Sequence, residues 1–178
     1  MIETLISSKT RVKLLMKFFI NANTTAYLRS LQSEFGESSN AIRVELNRLE
    51  EAGMLRSSTS GNKKIFQANK QHPLFNEIHN ILLKQIGLDR IVEQVIERLG
   101  EVQEVYLTGD FARGLDSQII DLVFVGEVDR AYLLQLIEKA EHMVHRKIRY
   151  LICDEQELKE LKLSGISSES LLLWSKNR

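Results

Sequence analysis

Ser38-Ser39-Asn40-Ala41-Ile42-Arg43-Val44-Glu45-Leu46-Asn47-Arg48-Leu49-Glu50-Glu51-Ala52-Gly53 runs directly into Met54-Leu55-Arg56-Ser57-Ser58-Thr59-Ser60, Gly61-Asn62 and Lys63-Lys64-Ile65-Phe66-Gln67-Ala68. In the first run Ile42, Leu46, Leu49 and Ala52 recur at helical spacing and predict an inward face. Ser39, Asn40, Arg43, Val44 and Asn47 share much of the opposite face. Ser38 is placed to cap this helix, because its hydroxyl can accept from an otherwise unpaired backbone N–H. After Gly53 the periodicity changes. Two short extended runs around Gly61-Asn62 predict a β-hairpin.

Upstream, Val12, Leu15, Met16 and Phe19 form another helical stripe, with Ser7 or Ser8 as its cap and Asn21-Ala22-Asn23 as its end. A short helix over about Tyr27 to Phe35 follows, carrying Leu28, Leu31 and Phe35 and stopping at Gly36. Helix, short helix, turn, helix, hairpin is an order that resembles the winged helix-turn-helix of bacterial transcriptional regulators, from Ser7 to Asn69. The resemblance implies that the third helix enters the major groove of double-stranded DNA. Ser39, Asn40, Arg43 and Asn47, with Arg48 after them, are then the candidates to face the bases. Arg can bond guanine and Asn adenine through paired contacts. On the hairpin, Arg56, Lys63 and Lys64 would meet phosphates, which sets affinity rather than sequence.

Charge is divided in the same sense. Residues 1–70 hold 11 Lys and Arg against 6 Asp and Glu, whereas residues 71–178 hold 13 against 18, so a chain of zero net charge has a basic front and an acidic back. A basic small domain suits a polyanion. Among 178 residues there is one proline, Pro73, and one cysteine, Cys153. That excludes a proline-rich linker, an intrachain disulfide framework and a Cys-rich zinc site. No apolar run reaches the roughly 18 residues of a membrane span, and the N-terminus lacks the pattern of a secretory signal. The expectation is a cytoplasmic protein with no membrane association.

From Gln71-His72-Pro73 two apolar stripes follow: Leu74, Phe75, Ile78, Ile81, Leu82 and Ile86 up to Gly87, then Leu88, Ile91, Val92, Val95, Ile96 and Leu99 up to Gly100. They predict a helical connector, packed on its own domains or serving as a homodimer interface. Helix-turn-helix proteins read paired half-sites, so a homodimer is expected.

Beyond it, Val102–Thr108 and Ile119–Val125 read as strands, about Asp129–His145 as a helix, Ile148–Cys153 as a strand and Glu155–Leu161 as a short helix. The tail, Ser167–Trp174, is expected to add a helix. The stretch Val105–Val125 resembles the minimal nucleotidyltransferases of the polymerase-beta-like superfamily, through Gly109, Ala112-Arg113-Gly114 and Asp121-Leu122. The resemblance implies a Gly-Ser turn that holds nucleotide phosphates, and paired strand carboxylates that hold two magnesium ions with a third carboxylate on a later strand. The sequence departs from this. Asp110 stands at the serine, Ile119 at the first carboxylate, and the later strand, Arg146-Lys147-Ile148-Arg149-Tyr150-Leu151-Ile152, has none. Asp116 lies five residues before Asp121, off the strand face.

The fold expected is therefore α+β: a winged helix-turn-helix over 1–70, a helical connector over 71–100 and a small α/β nucleotidyltransferase-like domain over 101–178. The function expected is a DNA-binding transcriptional regulator whose second domain is not an enzyme, needs no cofactor or metal, and receives a small-molecule or protein effector. Gly109, Asp110, Arg113, Gly114 and Asp121 would be the remnant of its nucleotide site. The alternatives are a divergent active nucleotidyltransferase and an antitoxin-like partner-binding protein. His142 and His145, three apart on the expected helix, offer too few ligands for a metal.

Overall fold

The structure, a computed structural model, describes residues 2–96, 99, 102–163 and 170–176. It is a mixed α and β chain with two sheets, divided into two compact units, residues 1–85 and 86–178.

In the first unit a short helix α1 (Ile2–Leu5) precedes α2 (Lys9–Phe19). The Ser8 hydroxyl accepts from Arg11 N at 3.2 Å and starts α2. Val12, Leu15, Met16 and Phe19 are buried as their spacing predicts, and Leu14 and Phe18 are buried beside them. Strand β1 (Thr25–Tyr27), α3 (Leu28–Phe35), α4 (Ser39–Glu51), β2 (Leu55–Ser60) and β3 (Lys63–Ala68) follow. Ser38 caps α4 by accepting from Ala41 N at 3.2 Å. Ile42, Leu46 and Leu49 are buried. Ala52, expected on the same inward face, is instead exposed, because it lies past the last turn as the C-cap. The hairpin pairs Ser60 with Lys63 across Gly61-Asn62, and β1 adds to its other edge, giving the order β1-β3-β2. Helix α5 (Phe75–Ile86) sets the Phe75 ring 5.5 Å from that of Phe19, and His79 Nδ1 lies 2.7 Å from the Phe19 carbonyl oxygen. Leu74 and Ile81 of the expected stripe are exposed.

In the second unit α6 (Leu88–Gln94), β4 (Val102–Thr108), α7 (Gly109–Ala112), β5 (Ile119–Gly126), α8 (Arg130–Val144), β6 (Lys147–Cys153), α9 (Glu155–Leu163) and β7 (Leu171–Ser175) occur in that order. The sheet order is β6-β5-β4-β7, with β5 and β6 parallel and the other pairs antiparallel. Asp129 caps α8 by accepting from Ala131 N and Tyr132 N at 2.9 and 3.0 Å. His145 is the left-handed C-cap of that helix, so it does not share the helical face of His142. The pleat divides β5 between two faces. Ile120, Leu122 and Phe124 alternate with Asp121, Val123 and Val125. The second set lies on the face where Leu158 of α9 packs against Val123, Val125 and Cys153.

The tail departs from expectation. Leu171–Ser175 is a strand, not part of a helix, because it completes the open edge of β4. Residues 167–169 of that expected helix lie outside the described residues. Among the described residues, no helix is long and apolar enough to cross a membrane.

Candidate functional site

In the first unit α3, α4 and the β2–β3 hairpin enclose a groove of about 600 Å³. Arg29, Arg43, Lys63 and Lys64 line it with Ser39 and Asn47, and no carboxylate does. Asn40, Arg43, Asn47 and Arg48 are exposed on α4, and Ser39 is half-buried. The structure separates these side chains by what they already bind. Asn40, Arg43 and Asn47 make no hydrogen bond or ion pair among the described residues. Arg48 reaches Glu45 at 3.3 Å, Lys64 reaches Glu50 at 2.6 Å, and Arg56 donates to Gln71 Oε1 at 2.6 Å. Lys63 stands 4.5 Å above the Tyr27 ring. Arg29, which the sequence reading does not single out, joins the groove from α3. Its only signal is an unmatched cation on the exposed side of a short helix.

Glu45 explains how α4 is held. It lies buried between Ile42 and Leu49 and accepts from Ser8 Oγ at 2.9 Å and Arg11 Nε at 2.8 Å. Burial pushes its carboxyl up, but the bonds from Arg11 and Ser8 outweigh that and leave it below the usual carboxylate value. A charged clamp on the inward side thus fixes the helix whose outward side carries the unpaired polar groups.

In the second unit a cleft of about 460 Å³ lies on the Asp121 face of the sheet, lined by Gly109, Arg113, Asp121, Arg149 and Tyr150 among others. The expected remnant residues are only partly brought together. Gly109, Arg113 and Asp121 line the cleft, whereas Asp110 enters through Arg113, whose Nη2 donates to it at 2.5 Å. Gly114 is buried in the turn and does not line the cleft. Gly109 has φ +65°, and a Cβ there would collide with the Asp121 carboxylate. Asp116 pairs with Arg146 at 3.0 Å, away from Asp121.

The partner of Asp121 is Arg149, a residue to which sequence reasoning gave no role. Parallel pairing sets Asp121 opposite Arg149, and the Arg149 Nε donates to Asp121 Oδ1. That bond pushes the guanidinium above its usual value. Hard divalent cations need several oxygen ligands. Among the described residues no three His, Cys, Asp or Glu could hold one ion. With its one strand carboxylate bonded to Arg149, the cleft does not fit the two-magnesium centre that the resemblance implies.

No known family's pattern matches the chain, and no curated protein matches it. Among solved structures, the chain is similar to a putative nucleotidyltransferase from Sulfolobus solfataricus, with 25% identity and a TM-score of 0.39, over 56% of this chain and 85% of that one. It is similar to a complex of a tri-AMPylated Shewanella oneidensis HEPN toxin with its MNT antitoxin, at 14% identity and a TM-score of 0.38, over 53% and 74% of the two chains. It is also similar, more weakly, to the archaeal chromatin protein TrmBL2, at 14% identity and a TM-score of 0.26, over 83% and 66%. The first two cover about half of this chain.

The expectation that the chain is not an enzyme is corrected by these findings. One of them is a putative nucleotidyltransferase, and none gives a ground for inactivity, so that expectation is withdrawn.

Proposed function

We propose that the first unit is a winged helix-turn-helix, centred on residues 1–70, that binds double-stranded DNA as a homodimer, and that the chain is a DNA-binding transcriptional regulator. One observation carries this reading. Among the described residues, the exposed side of α4 leaves the side chains of Asn40, Arg43 and Asn47 unpaired beside a groove lined by Arg29, Arg43, Lys63 and Lys64, of which only Lys64 is bonded to a carboxylate, Glu50. Groups that a protein leaves unbonded at a concave basic surface are suited to phosphates and base edges. Ser39, Asn40, Arg43 and Asn47 would read bases, and Lys63 would meet phosphate. Arg48, Arg56 and Lys64 would have to leave or share the partners they already have. The test is selection of genomic fragments on the full chain at physiological salt, repeated with Arg43→Ala. A shared motif that fades in the variant supports the reading, and recovery of unrelated, salt-sensitive fragments overturns it.

A second reading concerns the second unit. Asp110 and Asp121, with Arg113 and Arg149 around Gly109, favour a divergent nucleotidyltransferase that modifies a nucleotide or a protein, or an antitoxin-like partner whose effector is a protein. DNA binding would then regulate its own synthesis. Incubation with magnesium and labelled nucleoside triphosphate tests the first form, with label transferred to a protein or nucleotide as the expected result. A stable stoichiometric complex on co-expression with the neighbouring gene product tests the second.

A further inference from the structure

We infer that the free edge of the second sheet is an interface between two copies of this chain, with β6 of one copy lying antiparallel to β6 of the other about a two-fold axis at Leu151. This rests on the homodimer part of the reading above and names its surface, but it concerns the second unit alone and needs no DNA.

Strand β6 ends the order β6-β5-β4-β7, so among the described residues it has a partner strand on one side only. The Lys147 N–H donates to the Gln118 carbonyl at 2.9 Å. Backbone groups alternate in direction along a strand, so Lys147, Arg149, Leu151 and Cys153 bond toward β5, and Ile148, Tyr150 and Ile152 turn theirs away. Side chains close both ends of that outer row. Glu141 Oε1 accepts from the Ile148 N–H at 2.8 Å, and Glu157 Oε2 accepts from the Asp154 N–H at 2.9 Å. Between them, the outward N–H and C=O groups of Tyr150 and Ile152 have no partner among the described residues. Such a row is a template for another strand, and proteins guard it with proline, a bulge or an edge charge. None guards this window. The β5–β6 register runs unbroken through seven pairs, whereas both pairings of β4 shift. The one proline of the chain is Pro73. Arg149 is drawn onto Asp121 of β5.

The occupant is a second copy because the strand complements itself. Arg146, Lys147 and Arg149 stand at its start, and Asp154, Glu155 and Glu157 follow its end. Antiparallel pairing lays the basic start of each copy along the acidic end of the other. The free window sets the register. With Leu151 on the axis, Tyr150 meets Ile152 of the second copy, and these unpaired residues exchange N–H and C=O bonds with one another. Leu151, 46% exposed, then meets its own counterpart where the two strands approach most closely. Lys147 faces Glu155 of the second copy, and its side chain is 78% exposed although it also reaches Glu141 at 2.7 Å. An axis at Arg149 would instead set two guanidiniums opposite each other, and an axis at Tyr150 would need the Ile148 N–H that Glu141 holds. A two-fold contact closes at two copies and joins their four-stranded sheets into one continuous sheet.

The test is sedimentation velocity of the full chain over a range of concentrations, without DNA, together with disulfide trapping. The parent chain is expected to dimerise reversibly. Leu151→Lys should raise the dimer dissociation constant about 10-fold or more, because two like charges replace an apolar contact on the axis. Ile152→Pro should act in the same direction while sparing the β5 ladder, because the N–H it removes points outward. Circular dichroism like that of the parent shows that each variant is folded. Lys147→Glu should weaken the dimer, and adding Glu155→Lys should restore it. Leu151→Cys should give a covalent dimer on mild oxidation and Tyr150→Cys should not, because only the first stands opposite itself. Leu74→Lys and Ile81→Lys, exposed on and before α5, should leave the dimer intact. The inference is overturned if the parent chain stays monomeric or grows beyond a dimer, if Leu151→Cys does not cross-link, or if the α5 substitutions dissociate the dimer. A dimer that survives Leu151→Lys overturns this surface and leaves the homodimer of the DNA-binding reading standing. A chain that is monomeric alone and dimeric only on its selected DNA site does the same.

Discussion

The two units use charge in opposite ways. In the first, the carboxylates bond to the scaffold: Glu45 to Arg11 and Ser8, Glu34 to Lys17, Glu37 to Lys13, Glu50 to Lys64. On the exposed side of α4, the side chains of Asn40, Arg43 and Asn47 have no partner among the described residues. In the second, the charges of the cleft bond to one another, Arg113 to Asp110 and Arg149 to Asp121. The first arrangement stiffens a frame and leaves its surface open to a polyanion. The second holds a few groups in set directions around one turn, which suits a small ligand.

Two glycines give the largest test of that contrast. Gly61 turns the hairpin at φ +60° with nothing within 4 Å of a Cβ, whereas Gly109 turns at φ +65° against Asp121. Gly61→Ala should cost about 1–2 kcal/mol, the left-handed backbone penalty alone. Gly109→Ala adds a collision and should cost about 3 kcal/mol or more. Hydrogen exchange of the β3 and β5 amides measures both. Equal losses would break the idea that the second turn is built around its carboxylate.

Next in size is the split within α4. Arg43→Ala should weaken specific DNA binding by about 1–3 kcal/mol if Arg43 reads a base. Arg48→Ala should change it less, because Arg48 already bonds Glu45. Binding measured on one selected site and on unrelated DNA separates the cases. A loss that is uniform over all sequences would make Arg43 a phosphate contact.

How far these features could be read beforehand follows from their range along the chain. The amphipathic helices α2 and α4 and the hairpin were legible, because periodicity and caps act over a few residues. Strand β1 was not, because three residues carry no alternation and its existence depends on β3, some 40 positions away. Leu171–Ser175 was misread for the same reason: the open edge of β4 decides it, not its own pattern. Arg149 was legible only as the absence of a carboxylate. Its bond to Asp121 comes from parallel register across 28 positions, which no local motif reports. Arg29 was missed because a lone cation on a short helix acquires meaning only beside Lys63 and Arg43.

A smaller effect sharpens the account of the hairpin. Replacing Lys63 should lower the slope of log affinity against log salt by about one unit if it neutralises one phosphate. Lys64→Ala should lower it less, since Glu50 holds that ammonium at 2.6 Å. Identical slopes would mean that DNA draws Lys64 off Glu50. No change in either variant would remove the hairpin from the interface.

The smallest expected effect is acid sensitivity, and its sign follows from the carboxylates of the first unit. Lys13 and Thr10 hold Glu37 below its ordinary value of 4.5, Lys64 and Ser57 do the same for Glu50, and Glu45 ends below that value although burial opposes it. A carboxyl whose folded pKa is depressed contributes stability that is fully present above its unfolded pKa and is lost as pH falls through the folded one. The first unit should therefore weaken below about pH 4.5, where these groups begin to take up protons. In the second unit Glu141 is lowered too, by Lys147 and the Ile148 N–H, so some loss is expected there as well. Exchange of the α4 amides, compared with those of β5 as pH is lowered, should show α4 opening first. Glu45→Gln should flatten the acid dependence of α4 while lowering its protection at neutral pH, because the amide keeps a bond but loses the ion pair with Arg11. If α4 and β5 open together and the variant changes neither, then Glu45 does not clamp the helix, and the contrast between a charge-stiffened frame and a charge-built cleft fails at its first unit.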